Sequence, residues 1–387
     1  MKKITIGIFE DSFYPMTDGV ISVIDNYAKR LAKKANVIMF VPGYKEKYDD
    51  SKFNYKVVRC KSIKTPLYVY PLPLPAFDKK FKKELDSYNL DIVHIHSPFM
   101  MGKAGLRYAK KHNIPIIGTM HSQFEQDFKR AFKSDFIAKK LNKSLIINTF
   151  EQCDECWAVN KEVGRIFHED YGYSKVPRTM DNATEMLPTP DKEKAIKEIK
   201  DKHGIKDEKV FLFVGRINKL KNIFFIVDAL EHLGSKIDYK MIFVGDGPDE
   251  KDFKERVNSS SIKDRVIFTG KITDRELIAK YFATADLFLF PSLYDASSIV
   301  QIEAASQGTP GLFLKEAATA ATVTDNVTGY LSDNSPEAYA DKIVEIFSDL
   351  DKHNKIRENA YKDLYVNWDD KIDEVFDLYQ KIIKEKQ

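Results

Sequence analysis

The sequence predicts an α/β protein with two doubly wound, Rossmann-like domains. Short apolar runs rich in β-branched residues alternate with longer helix-like segments, a pattern typical of parallel sheets covered on both faces. The alternation breaks once, over 174–191, where prolines interrupt it, and then restarts. At 387 residues the chain can form two full cores, because single cores stop growing near roughly 250–300 residues.

The first half of the chain contains a complete set of alternating elements. Its predicted strands are 4–9, 36–41, 55–60, 91–96, 114–119 and 156–159. Its predicted helices are 20–34, 78–88, 102–112 and 124–149. This order predicts a first domain over 1–178.

The second half repeats the pattern. Its predicted strands are 210–214, 240–245, 265–269, 286–290 and 311–314. We expect a second domain over 179–360. The last helix-like segment, 336–387, is long and charged, and we expect its end, 361–387, to cross back to the first domain.

Charge is distributed unevenly along the chain. Residues 1–178 hold 31 Lys and Arg against 20 Asp and Glu, whereas the remainder holds 30 against 38. A basic first half is compatible with nucleic acid or with an anionic lipid surface. It is equally compatible with a half that is simply basic.

The cysteines give little support to a metal or redox site. The chain has three, and Cys153-Asp-Glu-Cys156 lacks the second pair that a zinc site needs. No apolar run approaches the roughly 18–20 residues that span a bilayer, and no secretory signal precedes the first predicted strand. We therefore expect a cytoplasmic protein that needs no metal, or one bound peripherally to the inner face of the membrane.

Glycines and cations follow two strands of the second half. The strand 210–214 leads into Gly215-Arg216, and Lys221 stands five positions after Arg216. Arg forks two donors onto phosphate oxygens, Lys adds a point charge, and helix N-termini favour anions. Gly247, in a Gly-Asp-Gly-Pro turn, follows the next strand. These residues favour a phosphate-bearing ligand, although lysines are common on surfaces and Gly-Asp-Gly-Pro is also an ordinary turn.

The strand 286–290 is followed by a helix-start signal. Ser298 and Gln301 have the spacing of a capping box. We therefore expect a helix that begins at Ile299, with Ser298 as its N-cap.

Two acids flank this predicted helix start. Asp295 lies in the loop before the helix, and Glu303 lies one turn inside it. Because carboxylates repel phosphate, we expect them to bind hydroxyl groups, a ribose on one side and a sugar on the other.

Together these motifs resemble the retaining glycosyltransferases of family 4. The resemblance covers most of the chain and rests on Arg216-x4-Lys221 and on Asp295-x7-Glu303, followed by AASQGTP over 304–310. It implies the GT-B fold, in which two Rossmann-like domains face a central cleft. The first domain would bind the acceptor and the second a nucleotide sugar, with UDP as the favoured carrier.

The resemblance assigns roles to the matching residues. Arg216 and Lys221 match the pair that holds the donor diphosphate and neutralises the leaving nucleotide. Glu303 matches the acid that accepts the ribose hydroxyls, and Asp295 matches the acid that contacts the transferred sugar. The further donor-binding positions, predicted from the strand ends or carried over, are Gly215, Gly247, Ser298 and the amides of Ile299 and Val300.

Two matches fall in the first half. His121 matches the histidine beside the donor sugar, although a histidine at a strand end is by itself more often structural. Gly19 matches the flexible glycine loop that lets the donor approach. His94 and His96 are expected to be structural, with a ligand-lining role as the alternative.

The sequence departs from the family at the first acid, which is usually glutamate but here is Asp295, and in the residues after it. Asp18-Gly19 likewise stands where a glycine pair is more common. The family mechanism implies that the leaving diphosphate assists deprotonation of the acceptor on the same face. The cations and the helix dipole would stabilise the phosphate charge, so that no metal is required.

The acceptor is predicted to be a membrane lipid such as diacylglycerol. The stretches 13–20 and 94–99 are similar to those of diacylglycerol glucosyltransferases. The segment 123–143 places four phenylalanines at i+4 spacing among basic residues, which favours either a core face or contact with an anionic membrane. The alternative acceptor is a polysaccharide or a lipid-linked saccharide, and nucleic acid is not expected as a partner.

Other classes of protein remain as alternatives. A dehydrogenase is disfavoured because no G-x-G-x-x-G follows the first strand. A sugar-nucleotide epimerase and a catalytically silent sugar-nucleotide-binding protein both stay open.

Overall fold

The computed structural model of the protein describes residues 3–64 and 70–386. The chain divides into two compact units. The first comprises residues up to Asn182 together with the segment from Trp368 onward, and the second comprises Ala183–Asn367.

The first unit is built on a parallel sheet. Its strands are β1 (Thr5–Phe9), β2 (Asn36–Pro42), β3 (Lys56–Cys60), β4 (Ser62–Ile63), β5 (Leu72–Pro73), β6 (Ile92–Ile95), β7 (Ile116–Met120), β8 (Glu155–Ala158) and β9 (Arg178–Thr179). The main sheet has the order β3-β2-β1-β6-β7-β8-β9, and β4 pairs with β5 separately as an antiparallel ribbon.

Helices connect these strands. They are α1 (Gly19–Leu31), α2 (Lys79–Asp86), α3 (Met100–His112), α4 (Phe124–Phe132), α5 (Asp135–Leu141), α6 (Asn148–Phe150) and α7 (Lys161–Arg165), with π-helical turns at Asn142–Ile147 and Ile166–Asp170. The central strands β1 and β6 are almost entirely buried, which explains why they are nearly continuous apolar runs.

The second unit is also doubly wound. Its strands are β10 (Lys209–Val214), β11 (Tyr239–Val244), β12 (Val266–Gly270), β13 (Leu287–Leu289), β14 (Gly311–Leu314) and β15 (Tyr330–Ser332), in the order β12-β11-β10-β13-β14-β15. Its helices are α8 (Lys192–His203), α9 (Ile223–Leu233), α10 (Glu250–Asn258), α11 (Arg275–Thr284), α12 (Ile299–Ser306), α13 (Pro336–Ser348) and α14 (Leu350–Leu364). All strand pairs of this sheet are parallel.

The last helix, α15 (Trp368–Lys386), belongs to the first unit. Tyr379 on α15 shares a 2.5 Å hydrogen bond with His94 Nδ1 and stacks on Trp157. Arg30 of α1 donates to Asp369 over 3.0 Å. A buried polar contact, a ring stack and an ion pair thus hold this helix on the sheet of the first unit.

Two long predicted helices are wrong as single elements. The helix predicted over 124–149 ends at Lys133, which adopts the left-handed conformation at φ 49°, and restarts where Ser134 accepts from the Ile137 amide. Ser134-Asp135 is a helix-start signal that the phenylalanine spacing concealed.

The segment 336–387 is likewise interrupted. Asp349 caps a new helix by accepting from the Lys352 amide, and the backbone becomes extended at Tyr365 before α15 begins. The break at Asp349 therefore has a sequence signal, an acid at an N-cap, within an otherwise helical pattern.

Candidate functional site

The topology of the second unit fixes where a ligand can bind. The strand order reverses direction between β10 and β13, which are neighbours in the sheet. In open parallel sheets, ligands bind outside the carboxyl ends of the strands at such a switch point. The loop that follows β10 carries Arg216 and Lys221, and the loop that follows β13 carries Asp295. The fold therefore brings two motifs separated by 74 residues to one edge of one sheet.

The loop after β10 is fastened to the loop after β11. Gly215 N donates to Val244 O over 3.0 Å, and Ile217 N donates to Asp246 O over 2.8 Å. Asn218 then caps a short 3-10 turn, Lys219–Lys221, by accepting from the Lys221 amide. These bonds fix the backbone on both sides of Arg216, whose side chain is exposed.

The glycines of these loops are required by close backbone contact. A Cβ at Gly245 would lie 1.9 Å from Gly215 O, and a Cβ at Gly247 would lie 2.2 Å from Ile217 O. Backbone crossing therefore accounts for both glycines without a ligand. Donor binding by Gly215 and Gly247 stays a prediction.

Asp295, in the loop after β13, is held by one partner from its own loop and one from the loop after β10. Its carboxylate accepts from Lys221 Nζ over 2.5 Å and from Ser292 Oγ over 2.6 Å. The Lys221 ammonium also lies 5.6 Å from the centre of the Phe290 ring, within cation–π range. Lys221 and Asp295 thus form an ion pair at the place where the sequence predicts a diphosphate and a sugar.

The helix α12 begins at Ile299 as predicted, with Ser298 at its N-cap position. The predicted capping box is wrong, because the Ser298 side chain makes no cap hydrogen bond and Gln301 Nε2 donates to Thr322 Oγ1 over 2.8 Å. The first-turn amides, which a helix leaves without intrahelical partners, include those of Ile299 and Val300. Uncapped amides at a switch point are suited to binding an anion.

Glu303 lies on the first turns of α12 and is only 4% exposed. Its carboxylate is paired with Arg275 of α11, a residue that sequence reasoning missed. Burial raises the pKa of Glu303, and the Arg275 guanidinium partly offsets this by lowering it. An acid that is buried but has a cationic partner can accept hydrogen bonds from two neighbouring hydroxyls.

His121, predicted beside the donor sugar, lies at the end of β7 in the first unit and is buried. Its Nε2 lies 2.8 Å from His96 Nδ1, and burial lowers the pKa of His121 to about 3. His94 is held by Thr119 and Tyr379, and burial keeps the pKa of His94 well below its usual range. These neutral rings can exchange hydrogen bonds but carry no charge at neutral pH.

Gly19, the other predicted residue of the first unit, is the first residue of α1. Asp18 caps the helix by accepting from the Ile21 amide over 2.8 Å. A Cβ at Gly19 would meet nothing within 4 Å. Packing within the first unit therefore does not require this glycine.

The structure groups most of the predicted site in one unit. Arg216, Lys221, Asp295 and Glu303 all belong to the second unit, as do the glycines at 215 and 247 and the start of α12. Residues that the sequence did not signal are Arg275, whose partner is 28 positions away, and Ser292. The Arg275–Glu303 pairing has no spacing that a sequence reveals, whereas Ser292 lies three positions before Asp295 and bonds it locally.

The described residues contain neither a cluster suited to a metal ion nor a membrane-spanning helix. Among residues 3–64 and 70–386, no group of three or more His, Cys, Asp or Glu side chains could hold a metal ion. Within the same described residues, no helix has both the length and the apolar character needed to cross a membrane.

Comparison with known proteins defines the class. Residues 17–181 match the family described as Glycosyltransferase Family 4, and residues 195–363 match Glycosyl transferases group 1. The fold is GT-B: sucrose-phosphate synthase from Thermosynechococcus elongatus superimposes with a TM-score of 0.79 at 21% identity, covering 99% of this chain and all of that one. A glycosyltransferase from Rickettsia africae superimposes at 0.76 with 18% identity and the same coverage.

The chain belongs to the family 4 glycosyltransferases. It is similar to the alpha-monoglucosyldiacylglycerol synthase of Streptococcus pneumoniae, at 30% identity over 79% of this chain and 70% of that protein. The synthase of the same name from Acholeplasma laidlawii is 27% identical over 93% and 94% of the two chains. The N-acetyl-alpha-D-glucosaminyl L-malate synthase of Bacillus anthracis is 26% identical over 94% and 92%.

Proposed function

We propose that this glycosyltransferase moves a hexose, with retention of configuration, from a UDP-sugar to a hydroxyl group of a membrane lipid such as diacylglycerol. The observation that carries the proposal is the meeting of Arg216, Lys221, Asp295 and the start of α12 at the β10–β13 switch point. Cations and helix amides suit a diphosphate, and the acids beside them suit hydroxyl groups.

Each part of the donor has a group that fits it. Arg216 and the amides of Ile299 and Val300 bind the diphosphate, while Glu303 accepts the two ribose hydroxyls. Lys221 turns from Asp295 towards the phosphate, which frees Asp295 to accept a hydroxyl of the hexose. The structure of Anabaena HepE with UDP and glucose, similar in fold at a TM-score of 0.74, supports UDP as the carrier.

The reaction needs no residue as a nucleophile and no metal. The bond between the anomeric carbon and the diphosphate oxygen breaks while the acceptor oxygen bonds to the same face of that carbon. The acceptor proton passes to the leaving diphosphate. Arg216, Lys221 and the α12 dipole stabilise the charge that develops on the phosphate, which is preorganised electrostatic catalysis.

The names of the two diacylglycerol synthases support a lipid acceptor. The segment 123–143 supports contact with an anionic bilayer, because Phe132 and Phe136 are 52% and 77% exposed there. The nearby Lys133, Lys139 and Lys140 are exposed as well. Exposed aromatics flanked by lysines bind the interface of anionic membranes.

Vesicle sedimentation tests this membrane contact. Phe136→Ser should lower affinity for anionic vesicles by about tenfold or more, since burying a phenylalanine contributes about 1.5–3 kcal/mol. Added salt should weaken wild-type binding. Phe77→Ser is the matched control, because Phe77 is 80% exposed in the same unit but outside 123–143. An equal loss of vesicle affinity in both variants, or wild-type binding that does not change with salt concentration, would contradict the proposed membrane contact.

Release of UDP from a panel of UDP-sugars, with and without diacylglycerol micelles, tests the function itself. We expect release that depends on diacylglycerol and yields a glycolipid. Release that requires a saccharide instead would favour polysaccharide or lipid-linked saccharide assembly. Conversion of one UDP-sugar into another without any acceptor would identify an epimerase. Binding of a UDP-sugar without turnover would identify a catalytically silent sugar-nucleotide-binding protein.

A further inference from the structure

Four buried side-chain atoms of the first unit have no hydrogen-bond partner within the described residues, on Glu10, His96, Asn142 and Tyr173. Two of them, Oε2 of Glu10 and Nε2 of His96, follow neighbouring strands of the sheet. Both side chains are almost fully buried, with Glu10 5% and His96 2% exposed. A buried polar atom without a partner destabilises a fold, so two such atoms on neighbouring strands can be satisfied together by one polar ligand.

The sheet places these two residues side by side. β1 and β6 are parallel neighbours whose register ends with Phe9 opposite Ile95, and His96 N donates to Phe9 O over 3.0 Å. Glu10 and His96 are therefore the next residues of the two strands. Side chains at opposed positions of neighbouring strands lie on the same face of a sheet.

Contacts with α1 identify this face. The ring of Tyr27, in the middle of α1, packs edge-on against His96. Glu10 interacts electrostatically with Asp18, the N-cap residue of the same helix. Both side chains thus lie on the α1 side, at the point where the strand order of the first sheet reverses between β1 and β6.

The hydrogen-bonding state of Glu10 indicates which chemical group can bind beside it. Glu10 Oε1 accepts from the amide and the hydroxyl of Ser12, so in the neutral carboxyl the proton belongs on Oε2. Burial, with Asp11 and Asp18, raises the pKa of Glu10 well above its ordinary value and favours this neutral form. Oε2 is then a donor that lacks an acceptor.

His96 supplies the complementary group. Its Nδ1 is engaged with His121 Nε2 at 2.8 Å. When Nδ1 carries the ring proton and donates it to His121, His96 Nε2 is an acceptor that lacks a donor. A hydroxyl group, which accepts one hydrogen bond and donates another, satisfies both atoms at once.

We propose that Glu10 and His96 together bind one hydroxyl group of the acceptor, with His121 orienting the His96 ring. The inference rests on the proposed function for the identity of the acceptor, a lipid with a glycerol headgroup. The proposed pocket is formed by residues of the first unit, whereas the residues proposed for the diphosphate belong to the second. His121 then acts as a positioning residue for His96.

Imidazole ¹⁵N NMR of the full chain, titrated with glycerol as the probe, tests the pocket without any need for turnover. Glycerol should shift the His96 Nε2 signal in the wild type and should not shift it in Glu10→Leu. The matched control is Asp91→Asn, because Asp91 bonds the Thr5 amide at the opposite end of β1 and β6. The control should retain the shift.

Steady-state kinetics with dioctanoylglycerol test whether Glu10 binds the acceptor during turnover. Glu10→Leu should raise the KM for this acceptor about tenfold and leave the KM for the UDP-sugar unchanged, and Glu10→Gln should recover part of the loss. Should Glu10→Leu fail to fold, Glu10→Met, which has a similar volume and no donor, replaces it in both experiments. A wild-type His96 signal that glycerol does not move, or that moves equally in the Glu10 variant, would overturn the pocket. A glycerol shift without lipid turnover would support the pocket and count against diacylglycerol as acceptor.

Discussion

After β10 and β13, the second unit places Arg216, Lys221 and Asp295, all charged and within reach of solvent. After β6 and β7, the first unit places His96 and His121, both buried and held neutral because burial lowers the pKa of each ring. The same topology, a parallel sheet with a switch point, thus presents opposite chemistry in the two units. One edge is suited to an anion, and the other is suited to uncharged hydroxyl groups.

Arg216→Ala removes a cation from the proposed diphosphate site and should have the largest effect on catalysis. We expect kcat/KM to fall about 100-fold or more, because loss of one preorganised donor to developing charge costs about that much. Arg216→Lys should recover part of it. Steady-state kinetics with the UDP-sugar donor measures both.

Lys219→Ala is the matched control, since Lys219 lies in the same loop with a side chain 67% exposed. Its kinetics should match the wild type. Full turnover by Arg216→Ala would remove the diphosphate assignment.

Alanine substitution of one glycine in each unit compares how closely the backbone is packed at the two positions. Gly247→Ala should lower the free energy of unfolding by about 1–3 kcal/mol, because its Cβ would press on Ile217 O and overpacking costs that much. Gly19→Ala should leave it nearly unchanged, because its Cβ meets nothing within 4 Å. Denaturant unfolding of both variants makes the comparison.

Activity then completes the glycine comparison. Lost turnover in a stable Gly19→Ala would report a ligand contact at α1. Equal stability of the two variants would contradict the backbone crossing described for the second unit.

Because His121 is buried and neutral, we expect the stability of the protein to depend on pH. His121 binds no proton in the fold until pH about 3, whereas in the unfolded chain it titrates near its ordinary value of 6.5. The unfolded state therefore binds the extra proton below pH 6.5, and stability falls as pH falls through this window. Between pH 6 and 4.5, this residue should contribute a loss of about 1.4 kcal/mol per pH unit.

His121→Gln isolates that contribution. Its unfolding free energy should depend on pH less steeply than that of the wild type, by about one proton. Urea unfolding at several pH values measures the two slopes. Identical slopes would show that His121 is not held neutral.

Asp295→Glu should have the smallest effect on turnover of the variants considered. Glutamate restores the side chain that is more common in the family and can keep the pair with Lys221. We expect turnover within about fivefold of the wild type, because the variant keeps the carboxylate that pairs with the partly buried Lys221, with a changed preference among UDP-hexoses. Competition between UDP-sugars measures this preference, and an inactive variant would show that the short side chain is essential.

Much of the fold could be predicted from the sequence because the central strands are buried on both faces. Val210–Val214, for example, is an uninterrupted apolar run and was located by that signal. The short edge strand β15 was missed, since Tyr330–Ser332 has no such run. The helix break at Lys133 was missed because phenylalanine periodicity continues across it.

The candidate site was predictable wherever motif and strand end coincide, as at Arg216 and Asp295. The residues that lie beside the buried Glu303 and His96 were not predictable. Arg275 reaches Glu303 from another helix, and Glu10 lies beside His96 only through the register of β1 and β6. Pairings of this kind depend on tertiary geometry and leave no spacing in the chain.

The anomeric configuration of the product shows whether the protein is a retaining glucosyltransferase. UDP-glucose, in which the sugar is α-linked, is incubated with the protein and dioctanoylglycerol, and the coupling constant of the anomeric proton is read by ¹H NMR. A retaining enzyme forms an α-glucoside together with UDP, and this is the expected product. A β-glucoside, or UDP-hexoses that remain intact with every acceptor, would contradict it.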